Sequence, residues 1–182
     1  MSAMTAGAIL CGGASRRMGT DKAFVEVDGV AMVVRAATVL RAAGCHPVFA
    51  VGGNRYALAA IGIECVTDLH PGEGPVGGVI TALDACSAPA IVVVACDLPY
   101  LTVHTVRSLI AAAGAEQVTV VVTDRVQPMC ALWSRGSLDP LRQSFEGGER
   151  RLLSVLDHLE TKQVPANPLD LANVNAPGDL PE

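Results

Sequence analysis

An α/β domain built on a mostly parallel central sheet is the fold class this sequence predicts, and three observations carry it. Apolar runs of strand length recur at residues 7–11, 48–51, 63–67, 90–96 and 118–122, each long enough to cross a sheet covered on both faces. Helix-like stretches separate them at 31–43, 77–86 and 103–113, and strands that alternate with helices are joined by crossovers and run parallel. With 182 residues, 51% hydrophobic and 17% charged, the chain is sized for a single domain over 1–182 with a filled core.

Read from the N-terminus, the first strand is the run Ala8-Ile9-Leu10-Cys11, which breaks into Gly12-Gly13-Ala14-Ser15-Arg16-Arg17-Met18-Gly19-Thr20-Asp21-Lys22. The run Ile91-Val92-Val93-Val94-Ala95-Cys96 delivers Asp97 directly at its end. A further stretch of strand character, 128–133, follows 118–123 across Asp124-Arg125-Val126-Gln127 and is expected as a hairpin or a β addition at one edge. Helices are expected over 137–145 and 149–158, and the tail 173–177 is expected to return to the sheet.

The formal net charge of −5 argues against a surface that coats nucleic acid, which needs a broad basic face. Positive potential is therefore local, as at Arg16, Arg17 and Lys22, and suits a small anionic ligand. The six cysteines, 11, 45, 65, 86, 96 and 130, form no C-x-x-C pair and sit mostly in apolar runs, the pattern of reduced core thiols and a cytoplasmic protein. No run approaches the roughly 20 apolar residues that span a bilayer, and residues 1–7 lack an export pattern, so no membrane partner is expected. The histidines, 46, 70, 104 and 158, show no metal-ligand spacing; His70 alone lies in a loop on the expected ligand side.

A short buried strand that ends in paired glycines, two arginines and a lysine is suited to a triphosphate. Glycine lets backbone N–H groups approach phosphate oxygens, and the cations add charge, arginine as a planar fork and lysine as a mobile point. The P-loop spacing is absent, because Lys22 follows Gly19 by three residues, and so is the dinucleotide fingerprint, because Gly12 and Gly13 are adjacent. Ligands of open α/β sheets lie beyond the carboxyl ends of the strands, so 12–22, 68–78 and 97–100 are expected to face one crevice. Asp97, a hard oxygen ligand at a strand end, suits Mg²⁺ on a triphosphate; the alternative is a cap for the helix near Thr102 or a local turn.

The string LxGGxSRRMGxDK resembles the signature of the MobA-like nucleotidyltransferases, the molybdenum cofactor guanylyltransferase family. Gly147-Gly148-Glu149-Arg150-Arg151 is similar to the family's G-E-R-R, and Ala172-Asn173-Val174-Asn175-Ala176-Pro177 to its V-N-V-N-T-P, so the likeness runs from residue 7 almost to the end. It implies a Rossmann-like three-layer α/β/α nucleotidyltransferase domain. It further implies GMP transfer from GTP to the terminal phosphate of molybdopterin or Mo-molybdopterin, with Mg²⁺ as cofactor and pyrophosphate as the other product. Other cofactor-biosynthesis proteins and recipient molybdoenzymes are further candidate partners.

On this resemblance Leu10, Cys11, Gly12 and Gly13 cradle the nucleotide, Lys22 neutralises charge at the α-phosphate, and Arg16 holds the outer phosphates. Asp97 takes the metal, while Asp68 and the Gly74-Pro75-Val76-Gly77-Gly78 segment border the nucleoside, with a turn-only role as the alternative for Asp68. Asn173 and Asn175, on alternate positions of an extended segment, share one face toward pterin or phosphate, or else order the turn before Pro177. Arg150 and Arg151 either clamp an anionic precursor or form a surface pair. The glycine pair at 12 and 13 tilts the base toward guanine, whereas Gly52, where some relatives carry a nucleotide-binding amide, leaves the base less fixed. A cytidylyltransferase, a sugar-phosphate guanylyltransferase and a nucleotide-sensing module stay open as rivals.

Overall fold

The first strand, β1 (Thr5–Leu10), is buried along its whole length, and its alternating side chains feed two separate cores. Ile9 joins Ala50, Val92 and Val94 in one cluster, whereas Ala6, Ala8 and Leu10 join Phe49, Ile91 and Val93 in the other. A strand buried on both faces therefore sits between two helical layers. The computed structural model describes residues 4–12 and 21–174.

From residue 21 a short turn over Lys22–Phe24, capped by the Asp21 carboxylate on the Ala23 N–H at 3.2 Å, leads into an antiparallel ribbon of β2 (Glu26–Val27) and β3 (Val30–Ala31). There follow α1 (Met32–Ala43), β4 (Val48–Val51), α2 (Arg55–Ala60), β5 (Glu64–Val66), α3 (Pro75–Ala85), β6 (Ala90–Ala95) and α4 (Val103–Ala112). The chain continues through β7 (Val118–Val122), β8 (Val126–Ser134), α5 (Leu138–Glu146), α6 (Leu152–Leu156) and β9 (Thr161–Pro165).

The main sheet has the order β5-β4-β1-β6-β8-β7-β9, and within it β8 alone runs against its neighbours. On one face α1 and α4 pack through Val33, Ala36, Leu40, Val106 and Leu109; on the other α3, α5 and α6 pack through Val76, Val79, Ile80, Leu141 and Val155. Each fully buried Leu or Ile in these layers contributes about 1.5–3 kcal/mol of burial free energy, so both faces are needed to hold the sheet. This is the expected three-layer α/β/α arrangement.

Local signals set the helix ends. Helix α1 stops at Gly44, whose φ of 100° turns the chain and lets its N–H bond back to the last turn. Asn54 caps α2 by accepting the Tyr56 and Ala57 N–H groups at 3.1 Å, and Thr102 caps α4 by accepting the Thr105 N–H at 3.2 Å. Because Thr102 is the cap, Asp97 is released from that duty.

The stretch at 128–133 forms the expected hairpin with β7 and lies inside the sheet between β6 and β7. The edge beyond β7 is β9, a strand whose Lys162 and Gln163 are exposed and which shows no apolar run. Two expectations need correction. The helix expected over 149–158 is confined to Leu152–Leu156, because the Glu149 carboxylate takes the N–H groups of Arg150 and Arg151 before the first turn. The tail at 173–174 lies on the Asp97 segment without forming a strand, and its remainder falls outside the described residues.

Cys45, Cys96 and Cys130 are buried as expected, whereas Cys11, Cys65 and Cys86 are half-buried; all six are free thiols. Burial pushes the Cys45 thiol up to about 11 and the Cys130 thiol up to about 12, so both stay protonated and behave as small apolar groups. No helix among the described residues is long and apolar enough to cross a membrane.

Candidate functional site

Parallel pairing brings the carboxyl ends of β1, β4 and β6 side by side, and each is followed by a residue singled out in the sequence or by its close neighbour. After β1, the Cys11 N–H donates to the Val51 carbonyl at 2.9 Å, which carries the chain one residue past the strand to Gly12. The Cys11 thiol is held well above its ordinary value, first by a hydrogen bond with Cys96 and then by burial, so it is a neutral wall rather than a nucleophile. Leu10 is buried and Gly12 is exposed. Gly13 and Arg16 lie outside the described residues.

Gly52 follows β4 with φ of +70°, and a Cβ there would sit 3.1 Å from the Gly12 Cα and 3.2 Å from the Gly12 nitrogen. The absence of an amide side chain at 52 is thus a packing requirement of this chain. A Cβ on Gly12 would in turn lie 3.3 Å from Asp68 Oδ2. Two glycines and one carboxylate are in mutual contact, and the surface of Gly12 that remains open is backbone.

Asp68 lies beyond the end of β5 and is fixed by several bonds. Its Oδ1 accepts the His70 N–H at 2.9 Å and lies 3.2 Å from Thr81 Oγ1, which also sits 2.9 Å from the Gly77 carbonyl and accepts the Leu69 N–H at 3.1 Å. Thr81 is 1% exposed, so its hydroxyl has to find partners inside the protein. The turn over residues 68–70 is therefore locked to α3. Gly77 and Gly78 are buried in α3: the space a side chain would take is filled by His70 Cβ, 2.6 Å from an ideal Cβ on Gly77, and by Leu10 Cδ1, 3.2 Å from one on Gly78.

Asp97 lies two residues beyond β6. Its Oδ2 pairs with Lys22 Nζ at 2.7 Å, with both side chains 20% exposed, while its Oδ1 is buried and has no partner among the described residues. The Asp97 carbonyl accepts the Val174 N–H at 3.2 Å, which brings exposed Asn173 beside this segment; Asn175 is outside the described residues. An unpartnered carboxylate oxygen beside an ion pair is the donor type a hard divalent cation takes. No group of three or more His, Cys, Asp or Glu side chains gathers among the described residues, so a cation here completes its shell with ligand oxygens and water. The residues present fit Mg²⁺ in that shared mode.

A second cluster, which the sequence did not single out as a group, lies over the loop from Asp68 to Gly74. The Phe145 ring packs against His70 with centroids 4.5 Å apart and ring planes tilted by 52°, and the Arg150 guanidinium covers the same Phe145 ring at 3.8 Å. Arg150 also pairs with Glu73 at 2.7 Å and donates through Nη1 to the carbonyls of Phe145 and Glu149 at 2.6 and 3.0 Å. Its donors are turned onto the protein, whereas the Arg151 side chain is exposed. Thr81, Phe145 and Glu73 were missed by the sequence reading; Thr81, polar and four residues after Gly77 in an apolar stretch, was the one that carried a signal.

Comparison with known proteins agrees with this geometry. A family model for the MobA-like NTP transferase domain matches residues 7–163. A probable molybdenum cofactor guanylyltransferase of Pelotomaculum thermopropionicum is 31% identical over 183 residues, spanning 96% of this chain and 89% of that protein. Another, from Opitutus terrae, is 34% identical over 185 residues, spanning 96% and 92%. The crystal structure of molybdopterin-guanine dinucleotide biosynthesis protein A from Archaeoglobus fulgidus shares the fold at a TM-score of 0.78 and 22% identity, over 97% of this chain and 94% of that one. A matched span that takes in Gly12, Lys22, Asp68 and Asp97 makes this chain a member of the MobA-like NTP transferase family, and so a nucleotidyltransferase.

Proposed function

We propose that this chain transfers GMP from GTP to the terminal phosphate of molybdopterin or Mo-molybdopterin in the cytoplasm, releasing pyrophosphate. The relatives named as molybdenum cofactor guanylyltransferases support the substrates, and the observation that carries the chemistry is the Lys22–Asp97 pair at 2.7 Å, with Asp97 Oδ1 buried and without a partner among the described residues. A lysine paired with a carboxylate just past a strand end sets a cationic group for phosphate beside an oxygen that would take a divalent cation.

In the transfer, an oxygen of the acceptor phosphate forms a bond to the α-phosphorus as the bond to the α,β-bridging oxygen breaks, and pyrophosphate leaves with that electron pair. A phosphate monoester has a second pKa of about 6 and is largely dianionic at neutral pH, so no general base is needed. Lys22 swings from Asp97 to the α-phosphate and stabilises charge there without moving a proton. Arg16 holds the outer phosphates, and the backbone at Leu10, Cys11, Gly12 and Gly13 cradles the nucleotide. Asp68 borders the nucleoside, while Gly77 and Gly78 keep His70 and Leu10 close against α3. Asn173, Asn175 and Arg151 face the acceptor. Asp97 would hold Mg²⁺, which when bound supplies Lewis-acid neutralisation of the triphosphate.

The deciding experiment is pyrophosphate release with molybdopterin and Mg²⁺, comparing GTP with CTP and ATP. GTP is expected to be the preferred donor. Preference for CTP would reassign the chain to cytidylyl transfer, and GTP binding without turnover would make it a sensor.

A further inference from the structure

The loop from Asp68 to α3 has four exposed residues in a row, Pro71 to Gly74, with Gly72 and Gly74 at positive φ of 82° and 83°. Internally it is tied by the Glu73 N–H on the His70 carbonyl at 3.1 Å, and it delivers both a carboxylate and the first turn of α3. Its ties to the rest of the protein decide where Asp68 stands. One tie is Thr81. The others come from the end of α5 and the segment after it: Phe145 packs against His70, and Arg150 pairs with Glu73 and packs its own backbone carbonyl 3.1 Å from where a Cβ on Gly74 would be.

We propose that Phe145 and Arg150 are positioning residues that hold the Asp68 turn in its nucleotide-ready geometry, acting through His70 and Glu73. The chain of contacts is continuous. The guanidinium covers one aromatic ring, that ring covers the imidazole, and the backbone N–H of the same histidine donates to Asp68 Oδ1 at 2.9 Å. His70 Cβ is wedged over Gly77 and Phe145 Cε2 lies 3.4 Å from the same ideal Cβ position, so the histidine has no room to turn away without losing the ring contact. Nε, Nη1 and Nη2 of Arg150 all have protein acceptors, which gives this arginine to the loop rather than to an anionic ligand. The inference deepens the proposed transferase reading and rests on Asp68 bordering the nucleoside.

The test pairs a measurement that needs no nucleotide with one that does. In Phe145→Leu, amide hydrogen exchange at Leu69 and His70 is expected to speed up relative to the rest of α3. The Kd and KM for GTP are expected to rise about tenfold, as fits loss of a ring–ring contact and a cation–π contact, with kcat at saturating GTP within about twofold. Phe145→Tyr, which keeps the ring, is expected to restore both readouts. Glu73→Gln, an exposed change that spares the core, is expected to reproduce the exchange effect to a smaller degree should Phe145→Leu fold poorly. Unchanged exchange at His70 overturns the coupling. Faster exchange with an unchanged Kd for GTP reduces the ring contact to a structural role and overturns the proposal. A parent chain that binds and turns over no nucleotide overturns the transferase reading, and it is recognised before any variant is made.

Discussion

The two carboxylates at the strand ends differ in how completely the protein uses them. Asp68 gives Oδ1 to the His70 N–H and the Thr81 hydroxyl and rests Oδ2 against Gly12, all within its own turn and the adjoining helix and strand. Among the described residues the Asp97 carboxylate has one partner, Lys22, from a segment 75 residues away, and keeps a buried oxygen with none. A carboxylate oxygen bonded within its own turn and the adjoining helix is set as scaffold, whereas a buried oxygen without a donor is open to one from a ligand or water. On the proposed function, positioning falls to Asp68 and chemistry to Asp97, and each of the following changes breaks or sharpens that division.

The largest effect belongs to Asp97. Asp97→Asn keeps the shape but removes the charge that faces Lys22. It is expected to lower kcat for pyrophosphate release about a hundred- to a thousandfold, with the far-ultraviolet circular dichroism unchanged. Lys22→Ala is expected to lose a similar factor. A loss under about tenfold in either would put the chemistry elsewhere.

Next comes the contact between the glycines. Gly52→Ala puts a Cβ at 3.1–3.2 Å from Gly12 in a backbone held at φ of +70°. Left-handed strain costs a residue with a side chain about 1–2 kcal/mol, and the displaced Gly12 should weaken GTP binding as well. Thermal denaturation and nucleotide titration check the two parts. An alanine variant as stable and as tight-binding as the parent would remove Gly52 from the site.

Thr81→Val acts on the Asp68 side and leaves Asp97 untouched. It preserves volume but leaves the Leu69 N–H without its acceptor and Asp68 Oδ1 with one donor fewer. A loss of about 1 kcal/mol is expected by chemical denaturation. The KM for GTP should rise several-fold while kcat holds, the reverse of the Asp97 pattern. Equal falls in kcat from Thr81→Val and Asp97→Asn would erase the distinction between the two carboxylates.

The contrast also explains what the sequence made legible. Lys22, Gly12 and Asp97 lie in unbroken motifs at strand ends, where a run of apolar residues states both the element and its terminus. The partners of Asp68 do not announce themselves: Thr81 is 13 residues on, Arg150 lies 77 residues from Glu73, and no local pattern ties them. The same physics governed the fold. The buried strands β1, β4 and β6 are apolar on both faces and could be read directly. By contrast, β9 is an exposed edge whose polar side chains hide it, and the position of β8 inside the sheet is decided by pairing with β6, which spacing alone does not encode.

The smallest expected effect concerns Glu149, three residues before the start of α6. Its carboxyl is held below its ordinary value, first by the Arg151 N–H and then by the Arg150 N–H. A depressed folded-state pKa means that the carboxylate's hold on these two amides is present in full above the unfolded value and is lost as pH falls through the folded one. Acidification below the ordinary glutamate range should therefore loosen the Arg150 segment, and with it the Phe145 packing over the Asp68 loop, before the sheet unfolds. Proton NMR of the Phe145 ring across that range reads the change directly. Glu149→Gln should abolish this acid step in the ring signals while leaving the Lys22–Asp97 side untouched, because no described contact links Glu149 to either residue; an acid step that survives Glu149→Gln would assign the loosening to another group.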